Sequence, residues 1–147
     1  AGDVHFTEQL AALLKVAPAH RLQRVKALMS GADVAVVNLE TAIATSGSPA
    51  AKIYHFRAPG TALTALAAAG IDVVSMANNH AVDFGDVGLR QTLSAVQSHQ
   101  GAHALAPKVV GIGSNLAMAM APAVMTVKGV KIAIFALDCR PPLRRSI

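Results

Sequence analysis

The segment from Gly70 to Gly88, GIDVVSMANNHAVDFGDVG, restricts the fold more than any other stretch of the chain. Ile71, Val73, Val74 and Met76 form a short apolar run behind a glycine, the pattern of a strand covered on both faces. The run empties into Asn78, Asn79, His80 and Asp83, side chains that are costly to bury without partners. After Gly85, Asp86 and Gly88, the residues Leu89, Leu93 and Val96 recur at helical spacing. Strand, polar loop and helix make the unit of open α/β sheets, whose ligands gather at the carboxyl ends of strands. The loop after this strand is therefore the first candidate for function.

The rest of the chain repeats the alternation. Thr7 is placed to cap a helix with Leu10, Leu13 and Leu14 on one face, and Pro18 interrupts it. A second helix carries Leu22, Val25, Leu28 and Met29 on one side, turns Arg21, Arg24 and Lys26 to water, and stops at Gly31. Asp33 to Val37 reads as another buried strand, ending at Asn38, Leu39 and Glu40. Thr41 to Ala51 reads as a loop, Ile53, Tyr54 and Phe56 as an extended segment, and Pro59-Gly60-Thr61 as the start of a helix to Ala69. The helix after Gly88 is expected to run to about Gln97. Further on come a weak strand from Val109 to Ile112 and a helical turn capped at Gly113-Ser114-Asn115. A hairpin of Ala123–Val127 with Val130–Leu137 closes the series around Lys128-Gly129. The expected class is α/β: a layered, mostly parallel sheet with helices on its faces and a hairpin near the C-terminus.

A chain of 147 residues has the length of one domain with a real core. No apolar run is long enough to span a bilayer, because Asp72 interrupts one candidate and Pro122 and Lys128 the other. Aromatic residues make up only 3%, with no Trp, so platforms for stacking bases are nearly absent. The Lys and Arg are scattered apart from Arg140, Arg144 and Arg145, without the basic stripe of a nucleic-acid reader, so no nucleic-acid partner is expected. A net charge of +5 is the one pointer to a polyanionic partner. Cys139 stands alone, which excludes an internal disulfide framework.

Three apolar strands, or the stump of one, end in acids, amides or imidazoles: Asp3 with His5, Asn38 with Glu40, and Asn78, Asn79 and His80 with Asp83. Each has an ordinary reading. Asp3 suits a solvated end, Asn38 and Glu40 a loop cap, the asparagines a turn, and His80 a hydrogen-bonded histidine. Parallel strands bring their carboxyl ends to one edge of a sheet, and three such ends together favour a shared cleft. His20, His55, His99 and His103 lack that placement and read as surface or structural residues. Mixed oxygen and imidazole ligands suit divalent ions of the Mn, Fe or Zn type. A two-metal centre of such ligands supports hydrolysis of a phosphate ester.

The series GDVHF, ADVAVVNLETAI, HFRAPGTALTALAAAGIDVVSMANNHAVDFGDVGLRQTL and GIGSNLAMAMAPAVMTVKGVKIAIFAL resembles the bacterial capsule-synthesis proteins of CapA type. That family is associated with poly-γ-glutamate capsule biosynthesis and is related in fold to calcineurin-like metallophosphoesterases. The resemblance covers nearly the whole chain, and its most specific parts are NLE and ANNH with the following D-x-G. It implies metal-ligand roles for Asp3, His5, Asn38, Glu40 and Asn79, with Glu40 the only acid of its motif. It implies that His80 contacts or protonates the substrate and that Asp83 orients His80. Capsule proteins more often carry an apolar residue where His5 stands, and the wider superfamily has a Gly-Asp where Asn38-Leu39-Glu40 stands. The resemblance further implies that residues 1–147 are a partial domain, the N-terminal half of a metallophosphoesterase-like fold, inactive on its own. In a full-length protein it implies a metal-dependent phosphoesterase-type hydrolase at the bacterial cell envelope, with any membrane anchor outside this chain. The partners implied are the acidic capsule polymer or a phosphate-containing small substrate, and a membrane synthase complex. The competing expectations are a non-enzymatic accessory subunit that binds the polymer or its synthase, and a general metal-dependent phosphatase or nucleotidase.

Overall fold

The computed structural model describes residues 1–139. The basic cluster Arg140, Arg144 and Arg145 and the Pro141-Pro142 pair lie outside the described residues. The central sheet is fully parallel and takes the order β1 (Asp3–Val4), β2 (Val36–Leu39), β5 (Val73–Ser75), β6 (Lys108–Val110). Helix α1 (Gln9–Leu13), a 3-10 turn at Pro18–His20 and α2 (Gln23–Ser30) connect β1 to β2. The second connection holds β3 (Ala42–Ile43), β4 (Arg57–Ala58) and α3 (Thr61–Ala68). Helix α4 (Gly85–Ala102) joins β5 to β6, and α5 (Leu116–Ala119) leads to the antiparallel hairpin of β7 (Ala123–Val127) and β8 (Val130–Ile134). The α/β class and the hairpin are as the sequence pattern requires.

The continuous apolar character of the strands follows from the packing. Side chains alternate across a strand, so Val36 and Val37, paired with Val73 and Val74, point to opposite faces of the sheet. Val37, Leu39, Val74 and Met76 join Phe6, Leu14, Leu63 and Leu66 in the larger core beneath α3. Val73 and Val110 turn the other way, and Ala123, Met125 and Ile134 of the hairpin cover them. Fully burying each such aliphatic side chain contributes about 1.5–3 kcal/mol, so both faces hold the sheet together. Gly70 enters β5 with φ of 81°, a left-handed conformation that L side chains rarely adopt. Asp72 then accepts a 2.7 Å hydrogen bond from Ala35 N, pinning the start of β5 to the start of β2.

Three local expectations differ from the structure. The stretch expected as a loop contains β3, which pairs in parallel with β4 because Thr92 Oγ1 on α4 accepts the Ile43 N–H at 3.0 Å. Ile53 and Tyr54 are exposed and form no strand; only Phe56, beside them, packs inward. The apolar side of α2 is largely wet, with Leu28 72% exposed, and only Leu22 and Met29 from that stretch reach the core. Two further expectations fall short: Thr7 does not cap α1, whose N-cap position is Glu8 without a side-chain hydrogen bond, and β8 ends at Ile134 rather than Leu137. Asn115 caps α5 through a 2.9 Å bond from Met118 N, and α4 runs past its expected end to Ala102.

Candidate functional site

The register Asp3↔Asn38↔Ser75 sets the ends of β1, β2 and β5 level along one edge of the sheet. At that edge Asn38 is the hub. Its Nδ2 donates to Asp3 Oδ1 at 2.9 Å and reaches Glu40 Oε1 at 3.5 Å, so one amide spans both carboxylates. Its Oδ1 accepts from Asn78 Nδ2 at 3.0 Å. Asn78 is buried, also donates to Leu39 O at 2.9 Å, and accepts the His80 N–H at 3.0 Å. The three strand ends are thus joined by a continuous chain of side-chain hydrogen bonds.

The loop after β5 folds a second group around Asp83, whose side chain is completely buried. Asp83 Oδ2 lies 2.8 Å from His80 Nδ1 and accepts the Phe56 N–H at 2.6 Å. Asp83 Oδ1 forms an ion pair with Lys52 Nζ. Lys52 also donates to Asn79 O at 2.8 Å, and its Nζ stands 3.3 Å from His80 Nδ1. The Phe56 ring lies between two imidazoles, stacked on His80 at 4.1 Å and on His5 at 4.8 Å. The exposed His5 therefore meets the loop through an aromatic face. Asn79 Oδ1 is buried and has no hydrogen-bond partner among the described residues. Beside Asp3 and His5 opens a cavity of about 390 Å³, walled by Phe6, Leu10, Leu13 and Leu22 with Arg21 at its lining.

This geometry brings the residues expected from the sequence into two linked groups rather than one cage. Asp3, Asn38 and Glu40 form the first, and His80 with Asp83 the second; Asn79 lies in the turn of the second, and His5 touches it through Phe56. Among the described residues no three His, Cys, Asp or Glu side chains are gathered closely enough to hold a metal ion. The donor chemistry suits an ion in part. Two carboxylates stand at the strand edge, and the loop after β5 holds a buried amide oxygen with no partner among the described residues, all oxygen donors of the kind hard and borderline divalent ions take.

Lys52 and Phe56 carry much of this site and escape sequence reasoning. Lys52 is the only charged side chain between Thr41 and Phe56, which is the one signal that could have marked it. Phe56 has no local signature beyond its place in the HFRAP stretch.

The family model described as bacterial capsule synthesis protein PGA_cap matches residues 1–144. The chain belongs to that family. As a bacterial capsule synthesis protein it takes its place, at the level of the family, in capsule biosynthesis. No curated protein matches it. The match takes in all three strand ends, from Asp3 to the loop that carries His80 and Asp83. No helix among the described residues of this capsule synthesis protein is long and apolar enough to cross a membrane.

Proposed function

We propose that this capsule synthesis protein serves a divalent-metal-dependent phosphoesterase-type reaction in the making of an acidic capsule polymer, at the bacterial cell envelope. The observation that supports the reading is the level edge with Asp3 and Glu40, joined through Asn38 and Asn78 to the loop where Asp83 holds His80 and Asn79 Oδ1 lies buried with no partner among the described residues. Asp3, Glu40 and Asn79 are the residues that would hold the ion, of the Mn, Fe or Zn type, with Asn38 spacing the two carboxylates and His5 beside them. A bound divalent ion supplies charge to a phosphoryl oxygen and lowers the pKa of a bound water.

The chain's own residues do the rest. Asp83 holds one nitrogen of the His80 ring, leaving the other free to exchange a proton with the leaving oxygen of a substrate. Phe56 fixes the plane of that ring and keeps water from one of its faces. The cavity beside Asp3 and His5, apolar with Arg21 in its lining, receives the body of a phosphate-containing substrate. Metal analysis of the full-length protein, with turnover of simple phosphate esters on added Mn, Zn or Fe, tests the proposal. Asn79→Ala is expected to lose metal, and His80→Ala to lose turnover while keeping it. Absence of metal, with neither variant having an effect, sinks the reading.

A second reading is favoured by the net charge of +5: a non-enzymatic subunit that binds the acidic polymer, or its synthase at the membrane. Salt-sensitive binding to polyglutamate that survives His80→Ala supports it, and binding abolished by the site variants alone counts against it.

A further inference from the structure

We infer that Lys52 is a positioning residue for His80: it reserves one oxygen of Asp83 so that the other holds the ring proton on Nδ1, leaving Nε2 as the nitrogen presented to a substrate. The inference rests on the role given to His80 above and adds a residue to it.

Asp83 has two oxygens and three partners. Oδ2 serves the Phe56 N–H at 2.6 Å and His80 Nδ1 at 2.8 Å, while Oδ1 is taken by the Lys52 ammonium. His80 Nδ1 stands near both Lys52 Nζ, at 3.3 Å, and Asp83 Oδ2. A ring nitrogen either donates or accepts; an ammonium only donates, and a carboxylate only accepts. The two neighbours therefore require opposite tautomers, and only one can be satisfied. The carboxylate is the nearer, at 2.8 Å against 3.3 Å, and the shorter contact has the better hydrogen-bond distance. Nδ1 carries the proton and donates it in a hydrogen bond to Asp83 Oδ2. Lys52 has other acceptors, Asp83 Oδ1 and Asn79 O, so it loses little by facing a protonated nitrogen.

The same ammonium acts twice on His80. Through Asp83 it fixes the acceptor that selects the tautomer, and through Asn79 O it holds the backbone of the preceding residue. With 14% of the Lys52 side chain exposed and Asp83 fully buried, little water is available to take over either contact. If Lys52 is removed, Asp83 Oδ1 has no partner among the described residues, and the carboxylate is free to turn. Only the Phe56 N–H and His80 Nδ1, both on Oδ2, then orient it, and the brace on its other oxygen is gone. A purely structural ion pair would stabilise the loop without selecting a tautomer, and that difference is measurable.

Heteronuclear NMR of the imidazole nitrogens, in the purified protein at neutral pH, reads the tautomer directly. The native protein is expected to show His80 with a pyrrole-like Nδ1 and a pyridine-like Nε2; the reverse pattern overturns the inference. Lys52→Met is expected to lose that single-tautomer pattern, giving averaged or inverted nitrogen shifts, and an unchanged pattern in a folded variant overturns it. If Lys52→Met does not fold, Lys52→Leu, which likewise has no donor for Asp83 Oδ1, is read by the same two criteria. These readouts need no turnover. A full-length protein that passes them yet hydrolyses no phosphate ester refutes the hydrolase reading and leaves the role of Lys52 standing.

Discussion

Asp83→Ala is the most demanding perturbation of the site, because it removes the acceptor for three neighbours at once. Deleting one partner of a buried ion pair typically costs about 3–5 kcal/mol, since the other charge is left stranded. Lys52 keeps 14% of its side chain exposed, so partial escape to water places this contribution near the lower end. The Phe56 N–H also loses its acceptor, and an unsatisfied buried donor costs about 1–3 kcal/mol. Because the two losses share one site they do not simply add, and the expected destabilisation is about 3–5 kcal/mol. That is a large part of the roughly 5–15 kcal/mol that holds an ordinary domain folded. Urea unfolding should show a lower midpoint with the same slope. The double variant Asp83→Ala with Lys52→Met should recover about 1 kcal/mol or more of the loss, because no stranded ammonium remains. A single-variant cost under about 1 kcal/mol, or a double variant no more stable than the single, would refute the stranded-charge argument.

Two further outcomes follow from the packing around the site. Thr92→Val nearly preserves shape but leaves the buried Ile43 N–H without its acceptor, so a loss of about 1–3 kcal/mol is expected. An unchanged urea midpoint would show that β3 does not depend on that hydroxyl. His99 has its pKa lowered from 6.5, first by burial and then by the charge of His103; Thr64, Ala67 and Ala68 of α3, which line the same cavity, carry no charge. The unfolded chain therefore binds a proton here more readily than the folded one. The associated stability is complete above 6.5 and is lost as pH falls below it. His99→Gln should flatten the acid side of the stability curve, and equal slopes for variant and native protein would rule His99 out as its source.

Much of the scaffold is legible because its signals are local. The apolar runs at Asp33–Val37 and Ile71–Met76 became β2 and β5, Asn115 became a cap, and Lys128-Gly129 became the hairpin turn. Local signals fail where pairing is short and the stabilising partner is distant. The two-residue strands β3 and β4 exist because Thr92, 49 residues away from Ile43 along the chain, offers a hydroxyl. The apolar stripe of α2 has the right period, yet Leu28 meets no facing layer among the described residues and stays wet. Periodicity tells which side of a helix is apolar, and only tertiary packing tells whether anything covers it.

The same division runs through the site. Asp3, His5, Asn38, Glu40, Asn79, His80 and Asp83 stand out in the sequence because polar groups directly after buried strands need a reason to be there. Their alignment along one edge follows from parallel pairing, and the register Asp3↔Asn38↔Ser75 realises it. What the chain order could not contain is the way those residues are shared out. Asn38 lies between two carboxylates, while Asp83 turns from them to Lys52, His80 and the backbone of Phe56. Such choices depend on which donors come within hydrogen-bond reach once the chain has closed on itself, a matter of distances set by the whole fold. The residue types and strand ends belong to the sequence; the network that gives each of them a partner belongs to the tertiary structure.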